Sequence, residues 1–294
     1  EINPNGIYVD VTFGGGGHSK AILEKLDKGK LIAFDQDTDA QANLLKSPNF
    51  IFVHHNFKYL RYFLRYLNIA KVDGILADLG VSSHHFDESE RGFSFRFDTE
   101  LDMRMNRNKP FKAADILNQY SKENITAILR NYGEVEKPWQ VAEAIVKSRE
   151  IKPIVTTGDL LESLGNIIPE RFRNKSLAKI YQALRIEVNS EMDALKELLS
   201  QSADVLNPRG RLVVITYHSL EDRLVKNFLK CGNFEGTLDK DFFGNVIAPF
   251  ELVNRKIVIP SDAEIDRNPR ARSAKLRIAK RTVYGTEPTT KPGI

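Results

Sequence analysis

Four consecutive glycines, Gly14 to Gly17, stand between an apolar run, Ile7-Tyr8-Val9-Asp10-Val11, and a helical pattern over 18–27 with Ala21, Ile22 and Leu26 on one face. Such a run costs backbone entropy and offers no side chain to a core, so a plain turn seldom needs it. Strand, glycine loop and helix in that order present free N–H groups at a helix start and let a ligand come close to the backbone. The alternation then continues. Residues 31–35 form a second strand ending on Asp35, with a helix at about 38–46. Residues 50–53 form a third strand, and 57–68 a helix with Leu60, Leu64 and Leu67 inward. The stretch VDGILAD, 72–78, is a fourth strand ending on Asp78. This rhythm predicts an α/β fold with a parallel, doubly wound sheet, whose ligands bind at the carboxyl ends of the strands.

After Asp78 the rhythm breaks. Residues 79–110 have no period, and 112–187 read as helices only. A long helical pattern covers about 176–206. The turn 207–210 leads to a strand at 211–217, a helix at 219–229, and late strands near 251–258 and 274–281. The expected organisation is a first domain part at 1–103, a helical insert at 104–189 and a second domain part at 190–294. Charge follows that division. Residues 104–189 hold 15 Lys+Arg and 10 Asp+Glu, against 28 and 29 elsewhere. Residues 267–281 add seven basic residues and no acid, which points to a polyanionic partner. No apolar run is long enough to span a membrane and no signal peptide is visible. A single cysteine, Cys231, excludes a disulfide framework and a Cys-based zinc site and fits a reducing cytoplasm.

Asp35 lies 21 residues after Gly14, the spacing at which dinucleotide-type folds place an acid on ribose hydroxyls. Asp37 and Asp39 are alternatives. This pairing indicates an adenosine ligand and leaves NAD and S-adenosylmethionine both open. The absent P-loop Lys argues against a nucleoside triphosphatase. Asp78 stands next to the expected switch point of the sheet. Phe93, Phe95 and Phe97 read equally as the buried face of an edge hairpin or as a stacking surface for a base. Ser219 with Asp222 resembles a capping box. His218 and Glu221, one turn apart, lack a third metal ligand, so no metal is expected.

DVTFGGGGHS, AFDQD, DGILADLGVSS, ERGFSF, LDMRM, QALRIEVNSE, YHSLEDR and NPRARSAKLRIAKR occur in that order over about residues 6–281. Together they resemble the bacterial small-subunit rRNA cytosine-N4 methyltransferase H family, also called MraW. The resemblance implies a class I, Rossmann-like methyltransferase sheet with an inserted all-helical domain for substrate recognition. It implies S-adenosylmethionine as donor and, as substrate, the exocyclic N4 of a cytidine in the decoding region of 16S rRNA in the small subunit. Matched by position, the donor-contacting residues are Gly16, Gly17, His18, Asp35, Phe57, Asp78 and His85. Many relatives carry Gln where His85 stands. The family's usual His-x-Pro-Val segment is missing, and the chain does not begin with Met, so a preceding segment is expected.

Cytosine N4 is a poor nucleophile because its lone pair is delocalised into the ring. Many amino-methyltransferases place an Asn/Asp-Pro-Pro-aromatic motif there; this chain has Asp78-Leu79-Gly80-Val81. Asp78 and Asp102 are the leading candidates for the proton acceptor, with His218 and Glu221 behind them. Arg270, Arg272, Lys275 and Arg277 are candidate phosphate contacts; strand alternation would put Lys275 and Arg277 on one face, with Leu276 inward. Two other readings compete: an NAD-linked oxidoreductase, and a non-enzymatic RNA-binding factor that retains the fold. Oligomeric state stays open.

Overall fold

The computed structural model describes residues 2–81, 91–244, 246–254 and 256–282. The chain forms two compact units, one from Glu1–Gly80 with Asp193–Ile294, the other from Val81–Met192.

The first unit is built on a seven-stranded sheet. Its strands are β1 (Ile7–Asp10), β2 (Lys30–Asp35), β3 (Phe50–His54), β4 (Val72–Asp78), β5 (Leu206–Thr216), β6 (Phe250–Leu252) and β7 (Lys275–Arg281). They lie in the order β3-β2-β1-β4-β5-β7-β6. β1 to β5 pair in parallel, and β7 runs antiparallel to both β5 and β6. This order, parallel but for the antiparallel β7, is the Rossmann-like sheet that the resemblance implies. Val9, Ile32, Phe34, Ile75 and Leu212 bury one face in a cluster with Leu60 and Leu64 of the helix Leu60–Tyr66 (α2), and Leu31 and Ala33 are buried on the other. Strands covered on both sides are why the runs are apolar throughout.

Two features differ from the sequence reading here. The helix expected over 38–46 is a 3-10 turn at Thr38–Asn43, started by Asp37, whose carboxylate accepts the Asp39 N–H at 3.1 Å. The turn expected at 207–210 is absorbed into β5 as an irregularity. Val72 pairs with Leu206 and Gly74 with Arg211, while Arg209 takes the left-handed region at φ 69°.

The second unit holds α3 (Ala113–Gln119), α4 (Lys122–Asn131), α5 (Pro138–Ile151), α6 (Thr157–Leu164) and α7 (Arg173–Asn189). Ile125, Ile128 and Leu129 give α4 an apolar stripe that packs with Ile116, Leu117, Ile145 and Leu184. This unit starts ahead of residue 104, because Phe93, Leu101 and Met103 are buried in its core. The helical pattern read as continuous over 176–206 is two helices, α7 and α8 (Glu191–Val205), separated by Ser190 at φ 52°. The sheet unit also carries α9 (Ser219–Cys231) and α10 (Asp262–Arg267). No helix among the described residues is long and apolar enough to cross a membrane.

Candidate donor site at the carboxyl ends of the strands

β1 delivers Asp10 to the start of the glycine loop. Its side chain is fully buried; one oxygen accepts the Ser19 hydroxyl at 2.7 Å and the other the Thr12 N–H at 3.1 Å. Burial pushes the Asp10 carboxyl up, and those two hydrogen bonds only partly offset it. Asp10 thereby ties the loop to the first turn of the helix Gly17–Leu23 (α1), where Ser19 sits. Gly14 and Gly16 adopt positive φ, 49° and 75°, which a β-carbon disfavours. From β2, the Asp35 carboxylate accepts the Gly14 N–H at 2.7 Å and the Asp37 N–H at 2.9 Å. The loop is therefore held from beneath by two acids. Its other side is open: a Cβ at Gly15 or Gly17 would meet nothing within 4 Å.

β4 ends beside this loop. The Asp78 N–H donates to Thr12 Oγ1 at 2.7 Å. Of the Asp78 carboxylate oxygens, one accepts the Tyr217 hydroxyl at 2.8 Å and the other lies 3.4 Å from His18 Nε2. The hydrogen bond from Asp78 raises the His18 imidazole above its ordinary value, against some burial. Burial, and then the Asp78 charge, push the Tyr217 phenol strongly up, so it stays a donor. The Tyr217 ring lies over Gly80, where a Cβ would sit 3.4 Å from it. Tyr217 and Thr12 were not singled out in the sequence. Register brings Tyr217 there: Asp78 pairs with Ile215, so Tyr217 emerges beside the end of β4. Phe57 opens a 3-10 turn after β3 and is half-buried against the sheet core. The Asn56 side chain caps that turn and also donates to Gln36 at 2.8 Å. Gly16, Gly17, His18, Asp35 and Asp78 thus converge at the carboxyl ends of β1, β2 and β4, with Phe57 on the turn beyond β3. His85 lies outside the described residues.

The family model of the MraW methylases matches residues 1–282. The chain belongs to the MraW methylase family. Among its relatives, "Ribosomal RNA small subunit methyltransferase H" of Bacteroides thetaiotaomicron is 58% identical over 281 residues, covering 95% of this chain and 92% of that protein. The protein of the same name from Flavobacterium johnsoniae is 55% identical over 282 residues, covering 96% and 93%. Among solved structures, an rRNA methylase from Streptococcus thermophilus is similar over 96% of this chain and 89% of that one, with 13% identity and a TM-score of 0.42. Membership of a methylase family decides against the NAD-linked oxidoreductase.

Most of the remaining candidates of this MraW methylase are held by partners of their own. Asp102 belongs to the helical unit, where the Arg104 guanidinium grips both its oxygens at 2.7 Å. Burial alone would raise its carboxyl, but these bonds outweigh it and hold Asp102 low. Phe93 is buried and Phe95 packs edge-on against Tyr181 at 5.4 Å, leaving Phe97 exposed; the three form no hairpin. The cap of α9 is His218 with Glu221, one residue earlier than the Ser219–Asp222 pair. The Glu221 carboxylate accepts the Tyr217 N–H at 2.9 Å, and His218 Nδ1 accepts the Glu221 N–H at 3.4 Å. Both side chains are thereby employed in starting the helix.

Asp222 is drawn elsewhere, pairing with Arg277 at 2.8 Å and Lys275 at 3.4 Å. Lys275 and Arg277 do share a face, as alternation requires. That face is the one that carries Ala279 into the core, while Leu276 sits on the other. The inward side of β7 was misassigned because Asp222 on α9 lets cations occupy the helix-covered side. Arg270 and Arg272 are exposed on the 3-10 turn Pro269–Ser273.

Proposed function

We propose that this methylase transfers a methyl group from S-adenosylmethionine to the exocyclic N4 of a cytidine in the decoding region of 16S rRNA, in the small ribosomal subunit of the cytoplasm. The observation that carries this reading is the open glycine loop flanked by the carboxylates of Asp35 and Asp78. The name shared by the relatives supports an rRNA substrate, and the motif resemblance supports cytidine N4.

The residues present fit the donor. Gly15 and Gly17 leave a space that a single methyl would begin to fill. A carboxylate offers about four acceptor sites, so anchoring the Gly14 and Asp37 N–H groups is compatible with Asp35 also accepting ribose hydroxyls. Phe57 offers an aromatic surface to the adenine. When bound, S-adenosylmethionine supplies an electrophilic methyl on a cationic sulfonium, which the acidic strand ends favour. Asp78 accepts a hydrogen bond from the cytosine amine, localises its lone pair and takes the departing proton. Tyr217 and His18 hold the Asp78 carboxylate in one orientation. Alignment of this kind contributes much of the rate of an in-line displacement. Asp102 is the weaker candidate, because burial is outweighed by the Arg104 guanidinium, which holds its carboxyl low and makes it a poor proton acceptor. The helical unit and the exposed Arg270 and Arg272 supply phosphate contacts to the folded RNA, from which the target base is splayed out.

The test uses small subunits from a strain lacking the enzyme, incubated with labelled donor and digested to nucleosides. Label in N4-methylcytidine is expected. Label only in 5-methylcytidine or a methylated adenosine would overturn the base assignment, and donor binding without transfer would favour a non-enzymatic RNA-binding factor.

A further inference from the structure

α2 and the turn before it carry an aromatic face that the sheet unit does not use. Leu60 and Leu64 are buried in the core, with Phe63 and Leu67 packed beside them. Tyr59, Tyr62 and Tyr66, at i, i+3 and i+7, share the outward side and are 41%, 65% and 74% exposed. Cations interleave with them: Lys58, Arg61, Arg65 and Lys71. From Asp39 to Asp73 the chain has five Lys and Arg residues and no acid between. The carboxylate reaching this face comes from α8, where Asp204 pairs with Arg61 at 3.0 Å. Both partners of that pair are more than half exposed, so it contributes little. The Asp204 backbone carbonyl accepts from Lys71. Lys58 Nζ lies 4.8 Å from the Tyr59 ring centre. Among the described residues, Arg65 has no ion-pair partner and Tyr66 no hydrogen-bond partner.

Aromatic rings alternating with cations suit unpaired bases, since the rings stack on base faces while the cations neutralise phosphates. We propose that this face is a stacking platform for single-stranded RNA. Tyr62 and Tyr66 stack on unpaired bases, and Lys58, Arg65 and Lys71 contact the phosphates. The proposal rests on the reading of the chain as an RNA-modifying enzyme, and adds a surface of different chemistry from the basic segment 267–281, which has no aromatic residue. A second copy of the chain is a poorer occupant. A two-fold interface sets a patch against itself, and here that would oppose cations with cations.

The experiment uses the full chain, a fluorescent single-stranded pyrimidine oligonucleotide and unmethylated small subunits. Tyr62→Ala with Tyr66→Ala should weaken oligonucleotide binding about tenfold or more. Tyr62→Phe with Tyr66→Phe should retain it, because the stacking ring remains. Donor binding by calorimetry should be unchanged in both. Arg65→Gln should flatten the salt dependence by about 0.7 in log–log slope. Wild-type RNA affinity in the alanine variant, with donor binding intact, overturns the platform. So does a wild-type dimer that the same variant converts to a monomer in sedimentation, which would make the face a self-association surface. A wild-type protein that neither binds RNA nor transfers methyl removes the proposed function as well. Wild-type transfer with unaltered binding by the alanine variant removes the platform alone.

Discussion

In the helical unit, the Arg104 fork closes on Asp102, the Arg91 guanidinium donates to the carbonyl of Arg104 at 2.9 Å, and the Asn189 amide bridges the backbones of Met103 and Met105. In the sheet unit, Asp10, Asp35 and Asp78 are also hydrogen-bonded, but what they hold is a loop whose far side is open. Both units engage carboxylates in hydrogen bonds, and the outcomes differ. The long irregular stretch 91–105 lacks a ladder for its backbone groups, so polar side chains satisfy them. At the strand ends the carboxylates of Asp10 and Asp35 likewise accept backbone N–H groups, but the loop they hold borders an open space. A hydrogen-bonded acid therefore does not by itself border an open space here; Asp35, behind the glycine loop, does.

The largest effect expected from that contrast is on transfer. Asp78→Asn should lower the single-turnover methylation rate by about 10²- to 10⁴-fold, the usual worth of a positioned proton acceptor, while RNA binding survives. A near-wild-type rate would return Asp102 to consideration. Next, Asp35→Asn should weaken S-adenosylmethionine binding about ten- to hundredfold, because hydrogen bonds to a charged acceptor become bonds to a neutral one; calorimetry reads this directly. Unchanged affinity would leave Asp35 a purely structural anchor for Gly14.

A pair of glycines sharpens the contrast further. Gly17→Ala should lose donor affinity with its melting temperature preserved, since the new methyl enters open space at a helix start. Gly133→Ala should do the reverse. Its methyl would lie 2.7 Å from the Lys179 carbonyl and 2.9 Å from that of Leu129, an overpacking that costs about 1–3 kcal/mol. Equal loss of stability in both would dissolve the distinction between the units. Asp102→Asn should behave like Gly133→Ala, destabilising by about 1.5–3 kcal/mol with donor binding intact, as chemical denaturation can report.

The smallest effect is on pH dependence. His18 has a raised folded value because of Asp78. Its pairing should stabilise the protein fully below the ordinary imidazole value of about 6.5 and fade as pH rises through the raised folded value. The imidazole is half exposed, so solvent screening keeps the change under about 1 kcal/mol. Proton NMR should find His18 titrating above its ordinary value in the wild type and lower in Asp78→Asn. An identical titration in the two proteins would break the pair.

Much of the sheet was legible because β1 to β4 are apolar on both faces and bounded by turns, which leaves their limits little freedom. The break at Ser190 was not, since the amphipathic pattern of α7 runs on into α8 without a proline or glycine to mark it. For β7, alternation gave the pairing of Lys275 with Arg277 but not the covered side, because Asp222 arrives from a helix distant in sequence. The placement of Asp35 followed from its spacing to the glycines. Its grip on the Gly14 N–H did not, since that bond depends on the left-handed turn the loop makes. Tyr217 was hidden for a related reason: its neighbour across the sheet, Asp78, is separated from it in the chain by the whole helical unit.

That separation also sets an order of assembly on the translating ribosome. β4 is made well over a hundred residues before β5, its partner in the sheet. At about 5–20 residues per second, the wait is on the order of ten seconds. The helices between depend on local contacts and form within about milliseconds, long before the next strand emerges. Throughout that interval the nascent sheet ends at β4, a row of unpaired backbone groups of the kind that invites wrong partners or chaperones. The glycine loop is already strung between Asp10 and Asp35 at this stage. Asp78 acquires its hydrogen bond from the Tyr217 phenol only when residue 217 has left the tunnel, so the proposed proton acceptor is oriented late in synthesis.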